Sequence, residues 1–195
     1  MHIYRIQSIL LAVLVILAAA LSLTAQDNRF DYRVLATSKT STMEKEMNEA
    51  ADAGFSFGAV MGGETAIGGH EVVLVMIKDP TKEGPRRVYK LLATTKTSTM
   101  QKEMQQLGDE GFDYKGQTVF ESTFGGREVV VIMERDSSRG AEKLQYKLLA
   151  TTKTATMQKE LREAGDAGFK LVGMTVAKTA FGGSELVSIL KKVVQ

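Results

Sequence analysis

The sequence predicts an α+β fold of three tandem βαββ repeats with a 57-residue period, each a three-stranded antiparallel sheet of order 1-3-2 with one helix on one face. Three observations predict it. Aligning Tyr32, Tyr89 and Tyr146 brings Leu35, Leu92 and Leu149, Lys39, Lys96 and Lys153, Met43, Met100 and Met157, and Phe55, Phe112 and Phe169 into register. Between the second and third copies, 27 of the 50 positions from Tyr89 and from Tyr146 are identical, which tandem duplication explains. The last strand of a copy, such as Glu128-Val129-Val130-Val131-Ile132-Met133-Glu134, is apolar on both faces, as a central strand has to be.

Within a copy, Tyr89-Lys90-Leu91-Leu92-Ala93-Thr94 alternates loosely and reads as the first strand. A helix follows, with Met100, Met104 and Leu107 on one face of a 3.6-residue period. Ser98 with Gln101, and Ser41 with Glu44, have capping-box spacing; the third copy has Ala155, so Thr156 is the expected cap there. Gly108-Asp109-Glu110-Gly111 ends the helix, because glycine suits the left-handed turn at a C-terminus. A strand from Phe112 to about Phe120, a turn at Gly125-Gly126 and the apolar strand complete the unit. If the third strand lies antiparallel between the other two, the order is 1-3-2.

One helix covers one sheet face, and the valines on the other face need a partner. A unit this small, with no staple, is marginal alone. The copies are therefore expected to pack sheet to sheet or to share edges, and either to close around a pseudo-threefold axis or to leave one uncovered face that drives dimerisation into a homo-oligomer.

The expected organisation is an export signal over 1–25, a lead-in over 26–31, repeats over 32–79, 89–136 and 146–195, and linkers over 80–88 and 137–145. The linkers are turn-rich: Asp79-Pro80-Thr81-Lys82-Glu83-Gly84-Pro85 holds both prolines, and Asp136-Ser137-Ser138-Arg139-Gly140 marks the second boundary. Residues 1–25 place Arg5 before the apolar run Ile9 to Leu21 and end in Ser22-Leu23-Thr24-Ala25, in signal-peptide order. Cleavage after Ala25 and a periplasmic or secreted bacterial protein are expected. Membrane attachment is expected only if the segment stays uncleaved.

Apolar residues make up 44% and charged residues 25%, the proportions of a globular chain. Arg5 is the one charge in the leader, so 24 basic side chains balance 23 acidic ones in the remainder, which gives no electrostatic case for nucleic acid. The absence of cysteine excludes disulfides, thiolate metal sites and thiol nucleophiles.

Tyr146-Lys147-Leu148-Leu149, Gly165-Asp166-Ala167-Gly168-Phe169-Lys170-Leu171-Val172 and Ile189-Leu190-Lys191-Lys192, with Met47-Asn48-Glu49-Ala50 in the first copy, resemble a family of small bacterial domains of unknown function. That family opens with an aromatic-Lys strand, ends its helix in a Gly-x-x-Gly-aromatic turn and closes on an apolar strand with a basic tail. Phenylalanine stands here where the family usually has tryptophan. The resemblance implies a fold and no activity.

The only histidines are His2 in the leader and His70 in the expected hairpin turn, so neither a histidine-based triad nor a multi-histidine metal cluster can be assembled. No cofactor or catalytic residue is expected. Glu46, Glu103 and Glu160 follow Lys45, Lys102 and Lys159 and read as a solvated helix face. The methionines read as core at helical spacing. Gly68-Gly69, Gly125-Gly126 and Gly182-Gly183 lie between strands and read as hairpin turns rather than phosphate loops.

One element carries candidate site residues. Lys39, Thr40 and Thr42, Lys96, Thr97 and Thr99, and Lys153, Thr154 and Thr156 precede or open the helices, where free N–H groups, hydroxyls and a lysine can hold a small anion. Helix capping alone also demands such residues. The expected function is an exported non-catalytic repeat protein, an interaction or structural module with a protein or polymer partner. The alternative is a small-anion or small-ligand binder using these loops.

Overall fold

The computed structural model describes residues 29–64, 70–81, 84, 86–121, 127–138, 140–178 and 183–194. The expected export signal over 1–25, and the expected turns at Gly68-Gly69, Gly125-Gly126 and Gly182, lie outside the described residues.

Repeat 1 comprises β1 (Asp31–Thr37), α1 (Thr40–Asp52), β2 (Ser56–Glu64) and β3 (His70–Lys78). Repeat 2 comprises β4 (Arg87–Thr94), α2 (Thr97–Asp109), β5 (Asp113–Glu121) and β6 (Arg127–Asp136). Repeat 3 comprises β7 (Leu144–Thr151), α3 (Thr154–Asp166), β8 (Lys170–Lys178) and β9 (Ser184–Val193). The three antiparallel sheets have the orders β1-β3-β2, β4-β6-β5 and β7-β9-β8, so the most apolar strand is central in each. His70 opens β3 rather than sitting in a turn. Each second strand carries a register shift at the same repeat position: Phe57/Ala59, Tyr114/Gly116 and Leu171/Gly173.

The helices end as glycine dictates, with Gly54, Gly111 and Gly168 at φ of 89°, 83° and 84°. Their starts differ from the expectation. Lys39, Lys96 and Lys153 are the N-caps, with extended backbone and no side-chain cap hydrogen bond. The serines at 41 and 98 therefore lie inside the first turn, and no capping box forms.

The sheets share no edges; they share cores. Val72, Leu74 and Met76 on one face of β3 pack with Met43, Met47 and Ala50 of α1 and with Tyr89, Val130 and Ile132 of repeat 2. The alternate residues of β6, Val129, Val131 and Met133, point the other way and join Met100 and Met104 of α2 with Tyr146, Val187 and Ile189 of repeat 3. Strand alternation thus gives the double-faced apolar strand its second partner: α1 and α2 are each wedged between their own sheet and the back of the next.

The array is open, and the pseudo-threefold closure is not formed. Tyr32 is 60% exposed, whereas Tyr89 and Tyr146 are 0% and 3% exposed. At the far end Leu171, Met174 and Val176 are exposed, and Ala164 is the one buried residue of α3.

Candidate functional site

The seams between repeats are built from one tyrosine each. The first strand of a repeat is an edge strand, with outward N–H and C=O groups that need partners. Asn48 of α1 meets this need on β4: its Oδ1 accepts from Tyr89 N at 2.9 Å, and its Nδ2 donates to Tyr89 O at 3.1 Å. Glu44, one turn earlier, accepts from Leu91 N and from Lys90 Nζ, both at 2.9 Å. On β7 the same positions of α2 are amides. Gln105 accepts from Tyr146 N at 2.9 Å and donates to Leu144 O at 3.2 Å; Gln101 donates to Tyr146 O at 2.9 Å and accepts from Leu148 N at 2.7 Å. These side chains imitate a neighbouring strand and block the edge. Glu44 and Gln101, the expected capping-box partners, act here instead.

The tyrosine rings fill the preceding repeat. The Tyr89 hydroxyl accepts from Phe57 N at 2.9 Å, beside the β2 register shift, and donates to Glu134 Oε2 at 2.5 Å. The Tyr146 hydroxyl accepts from Tyr114 N at 2.8 Å and donates to Phe112 O at 3.0 Å. Burial pushes the Tyr89 phenol far above its ordinary value, and its bond to the Glu134 carboxylate adds to this. Burial likewise raises Tyr146, helped by the nearby Asp113 charge, and pushes Tyr114 up to about 12. All three phenols hold their protons at neutral pH, so none supplies a phenolate base or nucleophile there.

An open cleft of about 480 Å³ lies where repeats 2 and 3 meet, lined among others by Asp113, Lys115, Glu134 and Lys191. These four charges pair with one another. Lys191 contacts Asp113, Lys115 lies 3.1 Å from Glu134, and Arg87 lies 3.7 Å from the same carboxylate. Among the described residues, no three His, Asp or Glu side chains are grouped as metal ligands, and no helix is long and apolar enough to cross a membrane.

The loops before the helices hold the sequence-predicted anion residues in equivalent places. Lys39, Lys96 and Lys153 are exposed caps; Thr40, Thr97 and Thr154 open the helices, and Thr42, Thr99 and Thr156 follow in the first turn. The hydroxyls of Thr37, Thr94 and Thr151 accept from the lysine N–H groups at 3.1, 3.2 and 3.1 Å, making small turns. At α2 the Thr97 hydroxyl donates to Glu185 Oε1 of β9 at 2.6 Å, so a carboxylate from the next repeat already meets that loop. Glu46, Glu103 and Glu160 are half-buried rather than fully solvated.

A further recurring device escaped sequence reasoning. Lys78, Arg135 and Lys192 end the third strands, stack over Phe55, Phe112 and Phe169 at 5.7, 4.7 and 4.5 Å, and donate to the helix-end carbonyls of Ala53, Glu110 and Ala167. Each cation thus meets a ring face and the negative end of a helix dipole. The 57-residue recurrence of a basic residue was the available signal. No family model matches the chain, and no curated protein and no solved structure matches it.

Proposed function

We propose that this is an exported, non-catalytic repeat protein acting as an interaction or structural module of the cell envelope or secreted fraction. The observation that carries the reading is the use of the recurring polar chemistry. Tyr89 and Tyr146, the helix amides and Glu44 are engaged in joining repeats, and the cleft carboxylates Asp113 and Glu134 are paired with lysine and arginine. The signal-peptide order expected over 1–25 supports that compartment. Joined copies also present like surfaces at fixed spacing, which raises avidity for a partner that itself repeats.

Co-sedimentation of the intact chain with isolated envelope fragments tests this. Charge reversal at the exposed Lys45, Lys102 and Lys159, in one, two and then three repeats, is expected to weaken retention stepwise, by roughly tenfold or more for the triple variant. An intact protein that is not retained, or retention indifferent to all three changes, overturns the reading.

A small-anion site at the loops is the second reading, and the Thr97–Glu185 contact favours it because a carboxylate already docks there. A thermal shift with inorganic phosphate or acetate that disappears on Lys39→Ala and Lys153→Ala supports it; an unchanged midpoint removes it.

A further inference from the structure

We propose that copies of this chain join head to tail, the back face of repeat 1 in one copy seating on the open helix-and-sheet face of repeat 3 in the next. The inference deepens the structural-module reading and rests on it. The joint is one the chain already makes twice, repeat 2 on repeat 1 and repeat 3 on repeat 2, and both halves of a third joint are present and unfilled.

The entering half is β1. Tyr32 and Val34 occupy the places of Tyr89 and Leu91, yet both are exposed, and among the described residues no side chain bonds Tyr32 as Asn48 bonds Tyr89. The receiving half is α3 with β8. Gln158 stands where Gln101 does, so it can donate to Tyr32 O and accept from Val34 N of the next copy, as Gln101 does with Tyr146 O and Leu148 N. Arg162 stands where Gln105 does and can donate to Phe30 O, the counterpart of Leu144 O. A guanidinium accepts no hydrogen bond, so Tyr32 N loses the acceptor its counterparts have. The joint between copies is therefore weaker than the internal ones, and reversible.

The packing agrees on independent grounds. At the internal joints a large aromatic faces a glycine. A Cβ on Gly116 would lie 3.0 Å from Phe57 Cζ, and one on Gly173 would overlap the Tyr114 hydroxyl. In the third joint the counterparts are Leu171 and Ala59: the receiving side chain is smaller and the entering one larger by a methyl. Gly165 agrees too. Its counterpart Gly108 lets Leu144 O approach to 2.5 Å of a would-be Cβ, whereas Gly165 has nothing within 4 Å. The entering and receiving surfaces differ, so the contact is heterologous and extends into chains or rings rather than stopping at two copies.

Sedimentation velocity on the full chain over a concentration series tests the proposal, with Tyr32→Glu and Leu171→Glu as variants. Both sites are exposed, so folding is expected to survive, and circular dichroism with urea midpoints checks it. The wild type is expected to grow past two copies as concentration rises. Each variant alone should associate at least about tenfold more weakly. Mixed, they should form a 1:1 species and stop there, because each supplies the half the other has lost. A wild type that stays monomeric, a dimer that both variants retain, or a mixture that forms no 1:1 species overturns the proposal. A monomer retained by envelope fragments would overturn the joint alone; an assembling chain that ignores those fragments and all other partners tested would overturn the envelope reading alone.

Discussion

Asn48 and Tyr89 form a closed pair across the first seam, the side-chain amide of one meeting both backbone groups of the other at 2.9 and 3.1 Å. Asn48→Ala leaves a half-buried N–H and C=O on β4 without partners. A destabilisation of about 1–3 kcal/mol is expected, read as a lower urea midpoint. Asn48→Asp keeps the acceptor and loses the donor, so it should fall between the two.

The phenol hydroxyls separate filled seams from the open one. Tyr89→Phe strips Phe57 N of its acceptor and Glu134 of a donor, and Tyr146→Phe strips Tyr114 N and Phe112 O. Each should cost about 1–3 kcal/mol in denaturant unfolding. Tyr32→Phe, at an exposed ring whose hydroxyl has no partner among the described residues, should stay within about 0.5 kcal/mol at concentrations where the chain is monomeric.

Alkaline pH should unfold the protein through the same groups. Tyr89, Tyr114 and Tyr146 all have folded values raised above the ordinary 10.0. The folded state therefore keeps protons that the unfolded chain releases near pH 10. Stability from these groups is complete below about pH 10 and falls as pH rises toward and through the folded values, with Tyr114 near 12. Phenolate absorbance from these three tyrosines should rise only as the fold opens, together with the loss of circular dichroism. The Tyr89→Phe chain, less stable at neutral pH, should lose less further stability above pH 10 than the wild type.

What the sequence made legible is what depends on local order. An unbroken apolar run on both faces places β6 at the centre of its sheet, and Gly111 stops α2 because its φ of 83° strains any side chain. The seams were hidden because their partners lie far away in sequence: Gln101 bonds Leu148, 47 residues on, so local spacing suggested a capping box with Ser98 instead. Tyr32, Tyr89 and Tyr146 are identical letters with opposite burial, which depends on the neighbouring repeat and not on their own segment. The candidate loops were legible as positions, since Lys39, Lys96 and Lys153 all cap helices. The Thr97–Glu185 contact joins residues 88 apart and was not.

Arg135 joins two interactions at one position, lying 4.7 Å over the Phe112 ring and donating to Glu110 O at 3.2 Å. Arg135→Ala should cost about 1 kcal/mol, read as a lower thermal midpoint. Arg135→Lys should recover most of it, because Lys78 and Lys192 fill the same role in repeats 1 and 3.

Gly108 and Gly165 occupy one repeat position with opposite surroundings, which makes the same substitution run in opposite directions. A Cβ at Gly108 would lie 2.5 Å from Leu144 O and 2.8 Å from Tyr146 Cδ2, so Gly108→Ala must push β7 off α2. A loss of about 1–3 kcal/mol is expected in urea unfolding. At Gly165 nothing lies within 4 Å, and alanine there adds helix propensity, a gain of roughly 0.5–1 kcal/mol in the monomeric chain. If copies join with the close spacing of the second seam, that gain reverses at high concentration, because the new methyl blocks the arriving β1 as it blocks β7 at position 108, whereas the first seam already holds Ala51 at this position. Gly165→Ala measured at low and at high concentration therefore separates helix propensity from seam packing: a variant more stable as a monomer and poorer at self-association fits a third joint spaced like the second seam, and one whose assembly is unchanged fits the spacing of the first, where Ala51 stands.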